Sequence, residues 1–317
     1  MAFEELALAW DAIGASGAAM VARIVDLHGF GGSERDRDIL IIERERRIGS
    51  VLAGFVDDSI VSELERQPRP RIMKITLSDE DAERGGSACG GWVKVLVHPF
   101  SWFPDLSDEL RTREPFCLVT PIGALAPSEP VAVVSRRRRV ASFVEEAAGE
   151  LLIAGQVGTH RLDVNGLNYQ LQVFSPKPRA VIVGSGDLAS ALLAQLELVG
   201  VSASLAGDGD QFTLGPLDGL VVLTHDHDTA TPIIARVLAK GRVGYVGALG
   251  SRATQAERLT RLADLGVNPT PVFGPAGLDI GSKSTAEVAL SIAAEMIAVI
   301  RKRSGGHLRD RKGPING

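Results

Sequence analysis

The spacing of apolar and polar positions predicts an alternation of helices and strands. Leu6, Ala9, Trp10 and Ile13 stand at i, i+3, i+4 and i+7, which predicts an amphipathic helix over Phe3–Ser16. Apolar runs over Met20–Leu27, Arg71–Leu77 and Trp92–His98 predict strands, and Ile39–Ile42 with Ile48–Leu52 a hairpin closed over Glu43–Arg47. Ala53-Gly54 breaks the pattern before a helix near Phe55–Arg66, and Ser78 is placed to cap a short acidic helix with Asp81 at the capping-box position. Strands follow at Phe116–Pro121 and Val131–Val134, then a helix near Phe143–Ala154 and a hairpin over Leu162–Phe174 centred on Asn165-Gly166.

Ser175-Pro-Lys-Pro178 punctuates the chain, and beyond it the pattern repeats strictly as strand then helix. Strands are expected at Ala180–Val183, Val201–Ala206, Gly219–Leu223, Arg242–Val246 and Thr270–Phe273, with helices at Asp187–Val199, Ala230–Ala239, Thr254–Leu265 and Thr285–Arg301. That repeat is the mark of a doubly wound parallel sheet. The fold class is therefore α/β: an N-terminal α/β domain with a mixed sheet over residues 1–174, and a C-terminal Rossmann-like doubly wound parallel sheet over residues 175–317.

Composition narrows the function. A length of 317 residues suits about two domains. A net charge of −5 with 5% aromatic residues argues against nucleic-acid binding, with Arg136–Arg139 as the one basic run. Two cysteines, Cys89 and Cys117, in no metal-type spacing fit a reducing, cytoplasmic compartment. The absence of a long apolar run or a basic-then-apolar start argues against a membrane span or signal peptide.

Candidate chemistry gathers in loops that follow strands. Gly184-Ser-Gly186 with Ala189 is the G-x-G-x-x-A turn, either a dinucleotide-phosphate cradle or a close-packed strand–helix junction. A preference for NAD calls for an acid about 20 residues later, but the second strand ends at Ala206-Gly207 with Asp208 and Asp210 beyond it. In Thr224-His-Asp-His-Asp228, the residues His225, Asp226 and His227 suit a divalent metal or a proton relay, or else a helix cap. Gly250-Ser251-Arg252 offers an anion clamp or a capped surface arginine, and Asp279 in its glycine loop an Asx turn or a ligand contact. Cys89-Gly90-Gly91 leaves a thiol with little side-chain bulk around it, open to a ligand or simply buried.

Taken together these residues resemble the XdhC/CoxI family, accessory factors of molybdenum hydroxylases such as xanthine dehydrogenase. The resemblance rests on Leu223-Thr-His-Asp226, Tyr245-Val-Gly-Ala-Leu-Gly-Ser-Arg252, Gly274-Pro-x-Gly-Leu-Asp-Ile-Gly281, Glu287 and Ala289, with Gly49-Ser50, Ser78-Asp-Glu-Asp81 and Cys89-Gly-Gly91 in the first half. It implies a chaperone that binds molybdenum cofactor in its molybdopterin form, supports its sulfuration with a cysteine desulfurase, and inserts it into an apo molybdenum hydroxylase. It further implies a homodimer. The positions it points to for cofactor binding are Cys89, Gly90, Gly91, Gly184, Gly186, Asp187, His225, Asp226, Gly250, Ser251, Arg252, Gly277 and Asp279. An NAD(P)- or other nucleotide-binding oxidoreductase and a ligand-free regulatory paralogue are the competing readings. The chain departs from the family where Ala53-Gly54-Phe55 replaces Gly-Gly-Cys and where Asp187 replaces histidine.

Overall fold

The computed structural model describes residues 2–13, 19–29, 38–78, 90–122, 131–136, 138, 142–207, 209–224, 226–241 and 243–310. Cys89, the acidic segment after Ser78, and His225 lie outside these residues. The chain divides into two compact units, Met1–Pro176 and Lys177–Gly317.

The N-terminal unit holds two sheets. The first is ordered β3 (Arg46–Val51), β2 (Asp38–Glu43), β1 (Met20–Gly29), β5 (Gly91–Pro99), β4 (Arg71–Leu77). The second is ordered β7 (Ala132–Ser135), β6 (Phe116–Ile122), β9 (Leu167–Phe174), β8 (Gly158–Val164). Every pairing is antiparallel, which corrects the mixed sheet expected for this half. Two-residue turns join β2 to β3 and β8 to β9, and a parallel neighbour would instead need a long crossover. Asn165 and Gly166 both have positive φ, 54° and 80°, as a type I′ hairpin requires.

Helix α1 (Phe3–Ile13) packs Phe3, Leu6, Ala9 and Ile13 into a core made by Val21, Ile39 and Ile41 of one sheet and Phe116, Leu118 and Phe174 of the other. Helix α2 (Asp57–Arg66) covers the far face of the first sheet through Ile60 and Leu64. A short helix α3 (Ser107–Thr112), not anticipated from the pattern, precedes β6. Helix α4 (Phe143–Ala154), capped by Ser142 and ended by Gly155, covers the far face of the second sheet through Val144 and Ala148.

Between the sheets lies a buried cation. Arg23 donates from Nη1 to Thr120 Oγ1 (2.8 Å) and from Nε and Nη2 to Gln172 Oε1 (3.1 and 2.9 Å). Burial lowers its pKa to about 10. Beside it His98 is fully buried, with Nδ1 2.9 Å from the Pro99 carbonyl and Nε2 without a partner among the described residues. Burial and the neighbouring guanidinium lower its pKa to about 3. One strained stretch stands out at the end of β3, where Leu52 and Ala53 adopt φ of 49° and 55°, the left-handed region that side chains with a Cβ disfavour. Ala53 occupies one of the positions where the resembled family carries glycine, and Phe55 packs into the α2 core.

The C-terminal unit is one parallel sheet ordered β11 (Ser202–Ala206), β10 (Arg179–Val183), β12 (Gly219–Val222), β13 (Tyr245–Ala248), β14 (Val272–Phe273). Helices α5 (Asp187–Leu198) and α8 (Thr285–Ile300) cover one face with Leu192, Leu196, Ile292 and Met296. Helices α6 (His227–Ala239) and α7 (Arg252–Asp264) cover the other with Ile233, Ile234, Val237 and Leu262. The sheet is doubly wound, as its strand–helix repeat predicts. Helix α6 begins three residues before the expected Ala230, because Asp226 supplies an N-cap that the apolar spacing alone does not reveal. Strand order reverses between β10 and β12, so the crevice for a ligand lies beyond the carboxyl ends of these strands.

Candidate functional site

Four loops leave the carboxyl ends of the parallel strands. At the first, Gly184 has φ of 135°, and a Cβ there would lie 2.9 Å from Leu223 Cβ, so glycine lets β10 close against the end of β12. Gly186 has φ of 89° and is the N-cap of α5 without a side-chain cap bond; a Cβ there would meet open space. Ala189 is buried and packs into the core under α5. The turn therefore exposes an uncapped helix N-terminus whose first-turn N–H groups and dipole favour an anion. Asp187, exposed in that first turn, opposes one with its own charge.

At the second loop Leu223 N–H donates to Val183 O at 2.8 Å, which ties this loop to the first. Asp226 caps α6, accepting from Asp228 N–H (3.1 Å) and Thr229 Oγ1 (2.6 Å), and these bonds hold its carboxyl below the usual range. His227 Nε2 lies 3.4 Å from Glu257 of α7, and its buried Nδ1 has no partner among the described residues. Arg261 joins Asp228 (3.0 Å) to Glu257 (2.8 Å). Asp226 and His227 are thus committed to different neighbours, and no group of three metal-ligating side chains occurs among the described residues.

At the third loop Gly250 has φ of 142°, Ser251 Oγ caps α7 by accepting Thr254 N–H at 3.1 Å, and Arg252 is exposed with no ion pair among the described residues. Behind it Arg258 is fully buried, donating to Leu249 O (3.0 Å) and Gln255 Oε1 (2.6 Å). No carboxylate among the described residues pairs with Arg258, and burial lowers its pKa.

The fourth loop opens with a cis Gly274-Pro275 bond against Gln255 and continues to Gly277, where a Cβ would lie 2.5 Å from Ser291 Oγ. One carboxylate oxygen, Glu295 Oε2, accepts both Gly277 N–H (2.9 Å) and the Tyr245 hydroxyl (2.6 Å). Burial, then this bond, drives the Tyr245 pKa far upward, so the phenol stays a donor. Asp279 is exposed on this loop.

Sequence reasoning missed Arg258, Gln255 and Glu295. Only Glu295 left a signal, as a lone acid inside the apolar run of α8. The degraded nicotinamide fingerprint has a structural counterpart: Asp210 Oδ2 accepts Gly207 N–H at 2.8 Å, so this acid closes a local turn. In the N-terminal unit, Gly91 opens β5 and pairs with Leu77 and Gly29, with Gly90 directly before it. No helix among the described residues is long and apolar enough to cross a membrane.

Among known proteins, one from Bacillus subtilis, named as a probable subunit of xanthine dehydrogenase, is 25% identical over 321 residues, covering 90% of this chain and 94% of its own length. A crystal structure of a xanthine dehydrogenase from Bacillus halodurans aligns over 100% of this chain and 99% of that one, at 20% identity and a TM-score of 0.43. Residues 180–296, from β10 to the end of the α8 core, match the XdhC Rossmann domain. The C-terminal unit of this chain is thus similar to the XdhC Rossmann domain over most of its length.

Proposed function

We propose that the protein is an accessory factor for a xanthine dehydrogenase-type molybdenum hydroxylase. It holds the cofactor in its molybdopterin form, supports sulfuration by a cysteine desulfurase, and hands the cofactor to the apo-enzyme. The observation that carries this reading is the uncapped α5 N-terminus at the strand-order reversal of a unit similar to the XdhC Rossmann domain. A pterin phosphate fits there by space, since Gly186 leaves the approach open, and the helix dipole and first-turn N–H groups favour it against the charge of Asp187. Arg252 would add a guanidinium from the neighbouring loop, and the brace from Glu295 would hold the Gly277 loop in place. The bound group supplies the molybdenum chemistry; the chain's own residues bind and orient it. The name of the Bacillus subtilis relative supports the client class.

The test is co-elution of pterin with the full chain in gel filtration after incubation with molybdenum cofactor. Retention of pterin is expected, weakened by Arg252→Gln and strengthened by Asp187→Asn, which removes the opposing charge. Absence of pterin from the protein fraction would overturn the reading. The nicotinamide alternative is disfavoured by Asp210, whose carboxylate is engaged by Gly207 where a ribose contact would be needed.

A further inference from the structure

On the face of the first sheet turned away from α2, β5 presents Trp92 and Lys94, β4 presents Lys74, and β1 presents Asp26 and His28. Farther along β5 this face is closed, since Leu96 and His98 are buried there. Toward the start of β5 it opens, with Lys74 and His28 exposed, Trp92 half-buried, and the Lys94 side chain 43% exposed.

Lys74 and Lys94 are direct cross-strand partners, a placement of like charges that costs stability. Both nonetheless bring Nζ over one ring, at 4.9 and 5.1 Å from the Trp92 centroid, while His28 stacks on the same indole at 5.7 Å. The only carboxylate among these residues is Asp26, shared by Lys94 (3.2 Å) and Arg161 (2.7 Å). Two cations, Lys94 and Arg161, thus share one carboxylate on a chain whose net charge is −5, and Lys74 has no acidic partner among the described residues.

We propose that this corner, between Lys74 and Lys94 over Trp92, binds a phosphoryl group. A dianion bridging the two ammonium groups would turn their repulsion into two charge-assisted hydrogen bonds, with the indole holding the lysine stems in place. The site lies in the N-terminal unit and does not require the cofactor reading of the C-terminal one. A free phosphate and a phosphorylated heterocycle share this chemistry, and separate probes distinguish them.

The experiment titrates the full chain with pyrophosphate, ADP and a pterin phosphate at low ionic strength, following tryptophan fluorescence and calorimetric heat. At least one probe is expected to bind and perturb Trp92, with the signal lost in Trp92→Phe. The Lys74→Gln/Lys94→Gln variant is expected to weaken that probe by roughly a hundredfold, two charge-assisted bonds being removed. Tighter binding of ADP and the pterin phosphate than of pyrophosphate identifies a phosphorylated heterocycle; equal binding identifies the phosphate alone. The inference is overturned if the lysine variant binds as the parent does while Arg252→Gln abolishes binding, an outcome that leaves the cofactor reading intact. It is equally overturned if no probe binds, or if binding appears only after Asp79, Glu80 and Asp81 are neutralised, since the lysines then serve the chain's own acids.

Discussion

Removing the Glu295 carboxylate should loosen the Gly277 loop while leaving the sheet below it folded. In Glu295→Ala two donors lose one acceptor: the Tyr245 hydroxyl, on a side chain 1% exposed, and the Gly277 N–H. A hydrogen bond to a charged group contributes about 1.5–3 kcal/mol, and an orphaned buried donor costs a similar amount. Water can reach the half-buried loop side, so the expected loss is about 2–4 kcal/mol in local opening. Glu295→Gln keeps a neutral acceptor in place and should lose only about 1 kcal/mol. Hydrogen exchange by mass spectrometry suits the question, because it reads the C-terminal unit separately from the N-terminal one. The peptide containing Gly277 should exchange about 30-fold to several hundred-fold faster in the alanine variant, with β10 and β12 peptides much less affected. In a Tyr245→Phe background the alanine effect should shrink, since one of the two donors is already gone. Unchanged exchange at Gly277, or equal acceleration over the whole unit, would refute the brace.

Other outcomes follow from features of the N-terminal unit. Ala53→Gly should stabilise the protein by about 1 kcal/mol in urea unfolding, because it removes a Cβ from a left-handed backbone position; a loss of stability would count against that conformation. His98, neutral when folded and with a pKa lowered to about 3, makes the unfolded state the better proton binder below the ordinary histidine value of 6.5. Its contribution is therefore intact above pH 6.5 and is lost at up to about 1.4 kcal/mol per pH unit as the pH falls toward 3. Denaturation at stepped pH should show a shallower slope in His98→Asn. The Cys117 thiol, pushed up to about 12 by burial, should resist iodoacetamide at pH 8 until the protein is unfolded; rapid alkylation of the native protein at Cys117 would contradict its burial.

What the sequence disclosed follows a physical division. Gly184, Gly186 and Ala189 were legible because each meets a local demand of backbone angle or packing that few other residues satisfy. Asn165-Gly166 was legible for the same reason. Ser251 and Asp226 were ambiguous because one residue type serves both as a helix cap and as a ligand contact, and the structure places both in caps. Glu295, Arg258 and Arg23 escaped because no periodicity records what they bind: Arg23, for one, meets Gln172 across 149 positions. The antiparallel pairing escaped too, since burial on both faces around Val95-Leu96-Val97 removes the polar alternation that marks an antiparallel strand with one solvated face.

The guanidinium of Arg23 also bears on how the N-terminal unit comes apart. Its bonds reach from β1 of one sheet to β6 and β9 of the other, and its charge has no route to water while both sheets are in place. Peeling away either sheet breaks all three of these bonds at once and opens the core around them, so a half-open state with one intact sheet keeps none of this stabilisation. The two sheets are thereby coupled into a single cooperative folding unit, and amide protons in β1 and β9 should become exchangeable in the same opening event.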